Sequence, residues 1–228
     1  MKVLTQAAPV VVLIFAVLFQ ANLFADKEST VITLKILAIG DSTTAGTPGF
    51  RSGAEAPPDG EGDKRSQYAY WMMKEQPQWK VTNRGINGER SDEILARLEK
   101  DIATFKPEMV IILAGVNDLY QGRSAENVKA YLTRMYQIIT QRKLKVVACT
   151  ILPYNSADGI VQKSIRDVND WIRRTSESHE YIFCDTFQAV EDPSHPFHLK
   201  ETPDGLHPSV NVYQQMGEAI AGAIESRI

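Results

Sequence analysis

From Thr33 onward, short apolar runs alternate with longer segments whose apolar residues return at helical spacing. The runs are TLKILAIG, ending at Gly40; WKVTN, ending at Asn83; MVIILAG, ending at Gly115; LKVVACT, ending at Thr150; and YIFCDT, ending at Thr186. All but the second are short, β-branched and almost unbroken in apolarity, which is how strands covered on both faces read. Between them, Ser66 to Gln76 carries Tyr68, Tyr70, Trp71 and Met72 before Pro77 stops it. Ser91 is placed to cap the helix DEILARLEKDIATF, with Asp92 and Glu93 at its positive end. Ser124 to Arg142 keeps Val128, Leu132, Met135 and Ile139 on one face, and Ile160 to Ser178 and Asn211 to Ile224 complete the set. Strands alternating with helices mean parallel crossovers, so the pattern predicts a three-layer α/β/α sandwich around a five-stranded parallel sheet.

Two segments break the rhythm. Residues 46–65, GTPGFRSGAEAPPDGEGDKR, are rich in glycine, proline and charge and have no period, which predicts a long loop placed to shape access to whatever precedes it. Residues 188–208 form a proline- and histidine-rich run leading into the last helix.

The first residues are a different kind of segment. Met1-Lys2 is followed by the apolar APVVVLIFAVLF, then Gln20 and Asn22, then Leu23-Phe24-Ala25. A short positive start, an apolar stretch of about a dozen residues and a small residue before Asp26 read as a secretory signal peptide over residues 1–25, with export to the periplasm or the outside. The apolar stretch is short for a spanning helix of about 20 residues. Leu23 is not the small residue favoured upstream of a cut, so an uncleaved anchor is the alternative. No cysteine stands there to take a lipid.

The chain has 228 residues and a formal net charge of −3, with no block of lysine or arginine. That size fits one domain over residues 26–228 with a substantial core. The charge balance suggests neither a nucleic-acid surface nor an anionic-membrane surface. The two cysteines, Cys149 and Cys184, sit inside strand-like runs and read as small buried residues rather than a disulfide scaffold. His195 and His198 lie in a loop with no cysteine or carboxylate completing a metal-ligand pattern, and His179 reads as a surface or capping residue at a helix end.

In an open parallel sheet, ligands bind beyond the carboxyl ends of the strands. The residues at those ends are Asp41-Ser42, the stretch NRGINGERS from Asn83 to Ser91, GVNDLY from Gly115 to Tyr120, and ILPYN after the fourth run; DGLHPS, from Asp204 to Ser209, precedes the last helix. A hydroxyl, glycine amides and a carboxamide thus gather on one rim. Asp41 reads as a turn organiser, and Asn83 and Gly85 as shapers of the second rim loop. Asp118, Glu89 and Arg90 read either as pocket walls or as a solvated rim.

The blocks GDSTTAG, NRGINGE, GVND and DGLHP, in that order, resemble those of the SGNH hydrolases, the superfamily of GDSL esterases and lipases. The resemblance runs from Ile36 to the last helix. It departs from Gly-Asp-Ser-Leu in having Thr43 after the serine. It implies a flavodoxin-like sheet and a serine esterase that needs no metal and no cofactor. It further implies Ser42 as nucleophile, His207 as base and Asp204 as the carboxylate behind it, with an oxyanion hole made by the amides of Ser42 and Gly88 and the side chain of Asn117. Glycine at 88 is expected to permit close backbone approach. Such enzymes include lysophospholipases, thioesterases, arylesterases and carbohydrate acetylesterases, so the substrate is a small-molecule, polysaccharide or lipid ester, and export favours an external ester over an intracellular thioester. The competing class is a carbohydrate- or partner-binding module on the same fold, which should have lost one of Ser42, Asn117, Asp204 or His207. A nucleotide or flavin binder finds no G-x-x-x-x-G-K-[ST] or G-x-G-x-x-G in the chain.

Overall fold

In the computed structural model, which describes residues 33–228, the five apolar runs form five parallel strands. They are β1 (Leu34–Gly40), β2 (Trp79–Gly85), β3 (Met109–Leu113), β4 (Lys145–Cys149) and β5 (Ile182–Cys184), in the order β2-β1-β3-β4-β5. The signal peptide read over residues 1–25 lies outside the described residues. Among the described residues no helix is long and apolar enough to cross a membrane.

The unbroken apolarity of β1 has the expected cause. Ile36 and Ala38 face one helical layer, α2 (Tyr68–Glu75) and α8 (Val210–Glu225), packing with Met72, Met216 and Ile220. Leu37 and Ile39 face the other, α3 (Ser91–Phe105), α5 (Ala125–Gln141) and α6 (Gly159–His179), packing with Leu98, Leu132 and Val168. Successive side chains on a strand point to opposite faces, so both sides must be apolar when both are covered. Each buried Leu or Ile side chain among them contributes about 1.5–3 kcal/mol.

The long helices stand within a residue or two of their expected spans. Ser124 caps α5 through the Asn127 amide at 3.2 Å, and Asp158 caps α6 through the amides of Ile160 and Val161. Ser91 departs from expectation. It is the first helical residue of α3 rather than its cap, because both its amide and its hydroxyl are held by the Asp118 carboxylate at 2.8 Å. Three short helices were not foreshadowed: α1 (Ser42–Ala45), α4 (Val116–Tyr120) and α7 (Thr186–Val190).

Residues 46–65 are more ordered than an aperiodic loop suggests. Phe50–Arg51 pairs with Glu61–Gly62 as a small antiparallel hairpin, and Phe50 and Ser52 are buried. The Ser52 hydroxyl donates to the carbonyl of Gly85 at 2.5 Å, and Glu55 accepts the amide of Asn87 at 3.0 Å. The segment therefore braces the loop after β2 from outside.

Candidate active site

Strand order 2-1-3-4-5 sends the chain from β1 outward to β2 and then back to β3, so the loops leaving β1 and β3 diverge and open a crevice. Ser42 stands at that crevice as the first residue of α1. Asp41 caps this single turn by accepting the Thr43 amide at 3.0 Å, as a turn organiser should. The end of β2 presses close behind: Asn83 donates to the Ala45 carbonyl at 3.2 Å, and a side chain on Gly85 would run into the Ala45 backbone.

His207 arrives from the other end of the chain, just before α8. Its Nε2 lies 3.0 Å from the Ser42 hydroxyl and its Nδ1 lies 2.7 Å from Asp204 Oδ2. The second oxygen of Asp204 accepts the backbone amides of Leu206 at 2.9 Å and His207 at 2.8 Å. Partial burial pushes the Asp204 carboxyl up, but the imidazole and the two amides outweigh it and bring it to about 2, so it is ionised at any working pH. With Nδ1–H given to Asp204, Nε2 is left as the acceptor for the serine proton. The Gly205 carbonyl accepts the Asn155 amide at 2.8 Å, tying this turn to the loop after β4.

Asn117 sits in the first turn of α4, after β3. Its side-chain amide donates to the Glu89 carbonyl at 2.9 Å, which brings it against the loop that carries Gly88. That loop is pinned to β1 by the Ile86 amide on the Gly40 carbonyl at 3.1 Å. Gly88 has φ +79°, and a Cβ there would meet nothing within 4 Å. Its glycine thus serves a left-handed backbone conformation, and the space beside it is open.

Of the charged rim residues, Asp118 differs from both sequence readings, while Glu89 and Arg90 are half-buried in ion pairs. Asp118 is fully buried, and its carboxyl, pushed up by burial against the pull of Ser91, anchors the start of α3 rather than lining a pocket or a solvated rim. Glu89 is clasped by Arg97, whose Nε lies 2.8 Å from Oε2 and 3.0 Å from Oε1. Arg97 also donates to the Gly40 carbonyl at 3.0 Å and to Asp101 at 2.8 Å. One guanidinium thereby ties the strand end before Ser42 to the residue after Gly88. Arg90 is taken up by Asp92 at 3.2 Å and Glu93 at 3.3 Å.

Asp41 carries a pH signature. Burial pushes its carboxyl up to about 7, against the opposing pull of Thr43, with Asp118 and Glu89 adding to the rise. Because the folded value lies above the unfolded value of 3.8, the folded chain keeps a proton that the unfolded chain releases. This contribution to stability is fully present below the unfolded value, declines as pH rises, and is gone above about 7. An Asp41→Asn variant is neutral throughout. Urea unfolding at pH 4 and pH 8 should therefore show the stability difference moving in the variant's favour by a few kcal/mol, since each tenfold change in proton affinity is worth about 1.4 kcal/mol. A pH-independent difference would contradict this account of Asp41.

Elsewhere, Cys149 and Cys184 are buried free thiols and register partners on β4 and β5, where their mutual contact and burial push Cys149 well up. His195 pairs with Asp192 at 2.8 Å, His198 Nδ1 lies 3.1 Å from the Pro196 carbonyl, and His179 Nδ1 lies 3.0 Å from the Thr175 carbonyl at the end of α6.

Comparison with known proteins places this arrangement. The model of the GDSL-like lipase/acylhydrolase family matches residues 38–215. An acetylxylan esterase from Geobacillus stearothermophilus is 26% identical over 199 residues, covering 77% of this chain and 87% of that protein. A GDSL-like lipase from Bacteroides thetaiotaomicron superposes with a TM-score of 0.68 at 20% identity, covering 94% of this chain and 97% of that one. A catalytic mutant of an acetylxylan esterase from Geobacillus stearothermophilus gives 0.68 at 20% identity, over 85% and 95% of the two chains. With the four sequence blocks on one rim of a 2-1-3-4-5 sheet, and the family match running from within β1 into α8, the chain belongs to the GDSL-like lipase/acylhydrolase family and is an ester-hydrolysing SGNH hydrolase.

Proposed function

We propose that the protein is a serine esterase that works through an acyl-enzyme on Ser42. The observation that carries this reading is the 3.0 Å approach of Ser42 Oγ to His207 Nε2 across 165 residues of sequence, with Asp204 Oδ2 2.7 Å behind the ring. As Ser42 Oγ attacks the ester carbonyl, its proton passes to Nε2, and Asp204 stabilises the imidazolium. Collapse of the tetrahedral adduct breaks the bond to the alcohol, which leaves with the proton from Nε2. Water then enters, gives its proton to Nε2 and releases the acid, restoring the serine.

The negative charge on the adduct falls to the amides of Ser42 and Gly88 and to the side-chain N–H of Asn117. Support for Asn117 in this role is its tether to the Glu89 carbonyl, which fixes the carboxamide beside the Gly88 loop before substrate arrives. An Asn117→Ala variant should lose about 100- to 1000-fold in kcat with a much smaller change in KM. A loss confined to KM would remove Asn117 from the oxyanion hole.

The substrate class is an external carboxylic ester of a small molecule, polysaccharide or lipid, in keeping with export through the leader at residues 1–25. The acetylxylan esterase relative supports a carbohydrate ester. The test is a screen of 4-nitrophenyl esters from acetate to palmitate together with labelling by a fluorophosphonate probe, with Ser42→Ala and His207→Ala as controls. Wild-type turnover and labelling that both controls lose is the expected result. No turnover and no labelling would favour a binding module.

A further inference from the structure

Tyr120 is one of three large apolar side chains left exposed among the described residues, at 61%. It is not loose. Its ring packs edge to face on the buried Tyr154, with centroids 5.9 Å apart and planes at 65°. An aromatic ring anchored by one ring contact yet mostly exposed is a preformed platform, and covering its open surface costs little further side-chain entropy.

The platform borders a shallow groove of about 370 Å³ lined by Tyr120, Asn155, Ser156, Asp204, Gly205 and Leu206. The groove begins at the carboxylate that holds His207. His207 is also the group that returns a proton to the departing alcohol, so the alcohol half of the ester must lie on the histidine side of Ser42, while the acyl oxygen faces Gly88 and Asn117. Neither Ser42 nor His207 lines the groove; it adjoins their site through Asp204–Leu206, the turn that leads into His207, and through Tyr120, three residues along α4 from Asn117. Beside the Asp204 carboxylate, its polar lining is a carboxamide and a hydroxyl, partners suited to sugar hydroxyls. The Asn155 carboxamide oxygen is taken by the Leu199 amide at 3.0 Å, which leaves its nitrogen as the donor end, and the Ser156 hydroxyl stands exposed beside it.

We propose that Tyr120, with Asn155 and Ser156, forms a subsite for a sugar ring in the alcohol portion of the substrate, so that the enzyme acts on O-acylated carbohydrate. A pyranose offers apolar C–H faces to an aromatic and hydroxyls to amide and hydroxyl partners at its edge, which is the combination this groove presents. A lipid alcohol would leave Asn155 and Ser156 facing hydrocarbon, at the cost of unsatisfied polar groups. This inference rests on the acyl-enzyme reading of Ser42.

The test compares the purified wild type with Tyr120→Ala and Tyr120→Phe on 4-nitrophenyl acetate, on acetylated xylo-, manno- and cello-oligosaccharides, and on a lysophospholipid. Tyr120→Ala should lower kcat/KM on at least one acetylated oligosaccharide by about tenfold, mainly through KM, while 4-nitrophenyl acetate is unaffected. Tyr120→Phe keeps the ring face and should restore most of the loss. The subsite is overturned if Tyr120→Ala changes all substrates equally or none. It is also overturned if the wild type hydrolyses 4-nitrophenyl acetate but no acetylated oligosaccharide, or if the lysophospholipid alone depends on Tyr120. Each of these outcomes leaves the esterase reading standing. Undiminished turnover by Ser42→Ala overturns the esterase reading itself.

Discussion

Replacing Ser42 with alanine should lower ester turnover by about 10⁴- to 10⁶-fold, and adding His207→Ala should lower it little further. On the proposed mechanism the serine and the histidine act as one unit: without the hydroxyl there is no proton for Nε2 to take, and without Nε2 the hydroxyl is too weak an attacker. Removing either leaves only binding and the oxyanion donors, so the second deletion has nothing left to remove. The loss should be kinetic and not structural. The Ser42 hydroxyl is bonded to His207, while the turn itself is held by backbone bonds, from the Gly46 amide to the Ser42 carbonyl at 2.9 Å and from the Ala45 amide to the Asp41 carbonyl at 2.9 Å, which alanine retains. Thermal melting of the variant should therefore match the wild type while steady-state activity disappears. A variant retaining more than about a hundredth of the activity would move the nucleophile elsewhere.

The same division between backbone and side chain explains what the sequence displayed. Five strands were legible because burial on both faces forces apolarity at every position, and β1 carries that mark in Ile36 through Ile39. The Asp204-x-x-His207 turn was legible through the resemblance of DGLHP to a family block, and its short spacing lets one local segment supply both groups. Ser42 gained meaning from its place at a strand end, and from the presence of a histidine far along the chain.

What stayed hidden depends on partners distant in sequence. Arg97 and Asp101 sit four residues apart on α3, a spacing found on any solvated helix face, yet Arg97 reaches the Gly40 carbonyl and Glu89. Asp118 looked like a rim carboxylate because nothing local announces that Ser91 will bury against it. The order of residues 46–65 was hidden for a like reason, since it depends on Gly85 and on the Tyr213 hydroxyl donating to the Thr47 carbonyl at 3.1 Å. Helix α1 is one turn long, too short to show a period, and its cap Asp41 is also a common turn residue.

Asp204→Asn should reduce kcat by about 10³- to 10⁴-fold, and the geometry gives a specific reason. Oδ1 accepts two backbone amides, from Leu206 and His207, while Oδ2 faces the ring. In the asparagine variant those two donors hold the amide oxygen in place of Oδ1, so the NH₂ must face His207 Nδ1. Nδ1 then becomes an acceptor, the ring proton moves to Nε2, and Nε2 can no longer take the proton of Ser42. The Asp204 side chain is 39% exposed, so solvent screens its charge from the imidazolium, and orientation of the ring outweighs simple charge. This ordering separates two explanations. If charge alone mattered, asparagine would differ little from alanine and both would be mild. If tautomer matters, Asp204→Asn should be no more active than Asp204→Ala, because asparagine enforces the wrong form while alanine enforces neither. Nitrogen NMR of the His207 ring should find the proton on Nε2 in the asparagine variant and on Nδ1 in the wild type. A variant that kept the proton on Nδ1, or a tenth of the activity, would show that Asp204 does not set the tautomer.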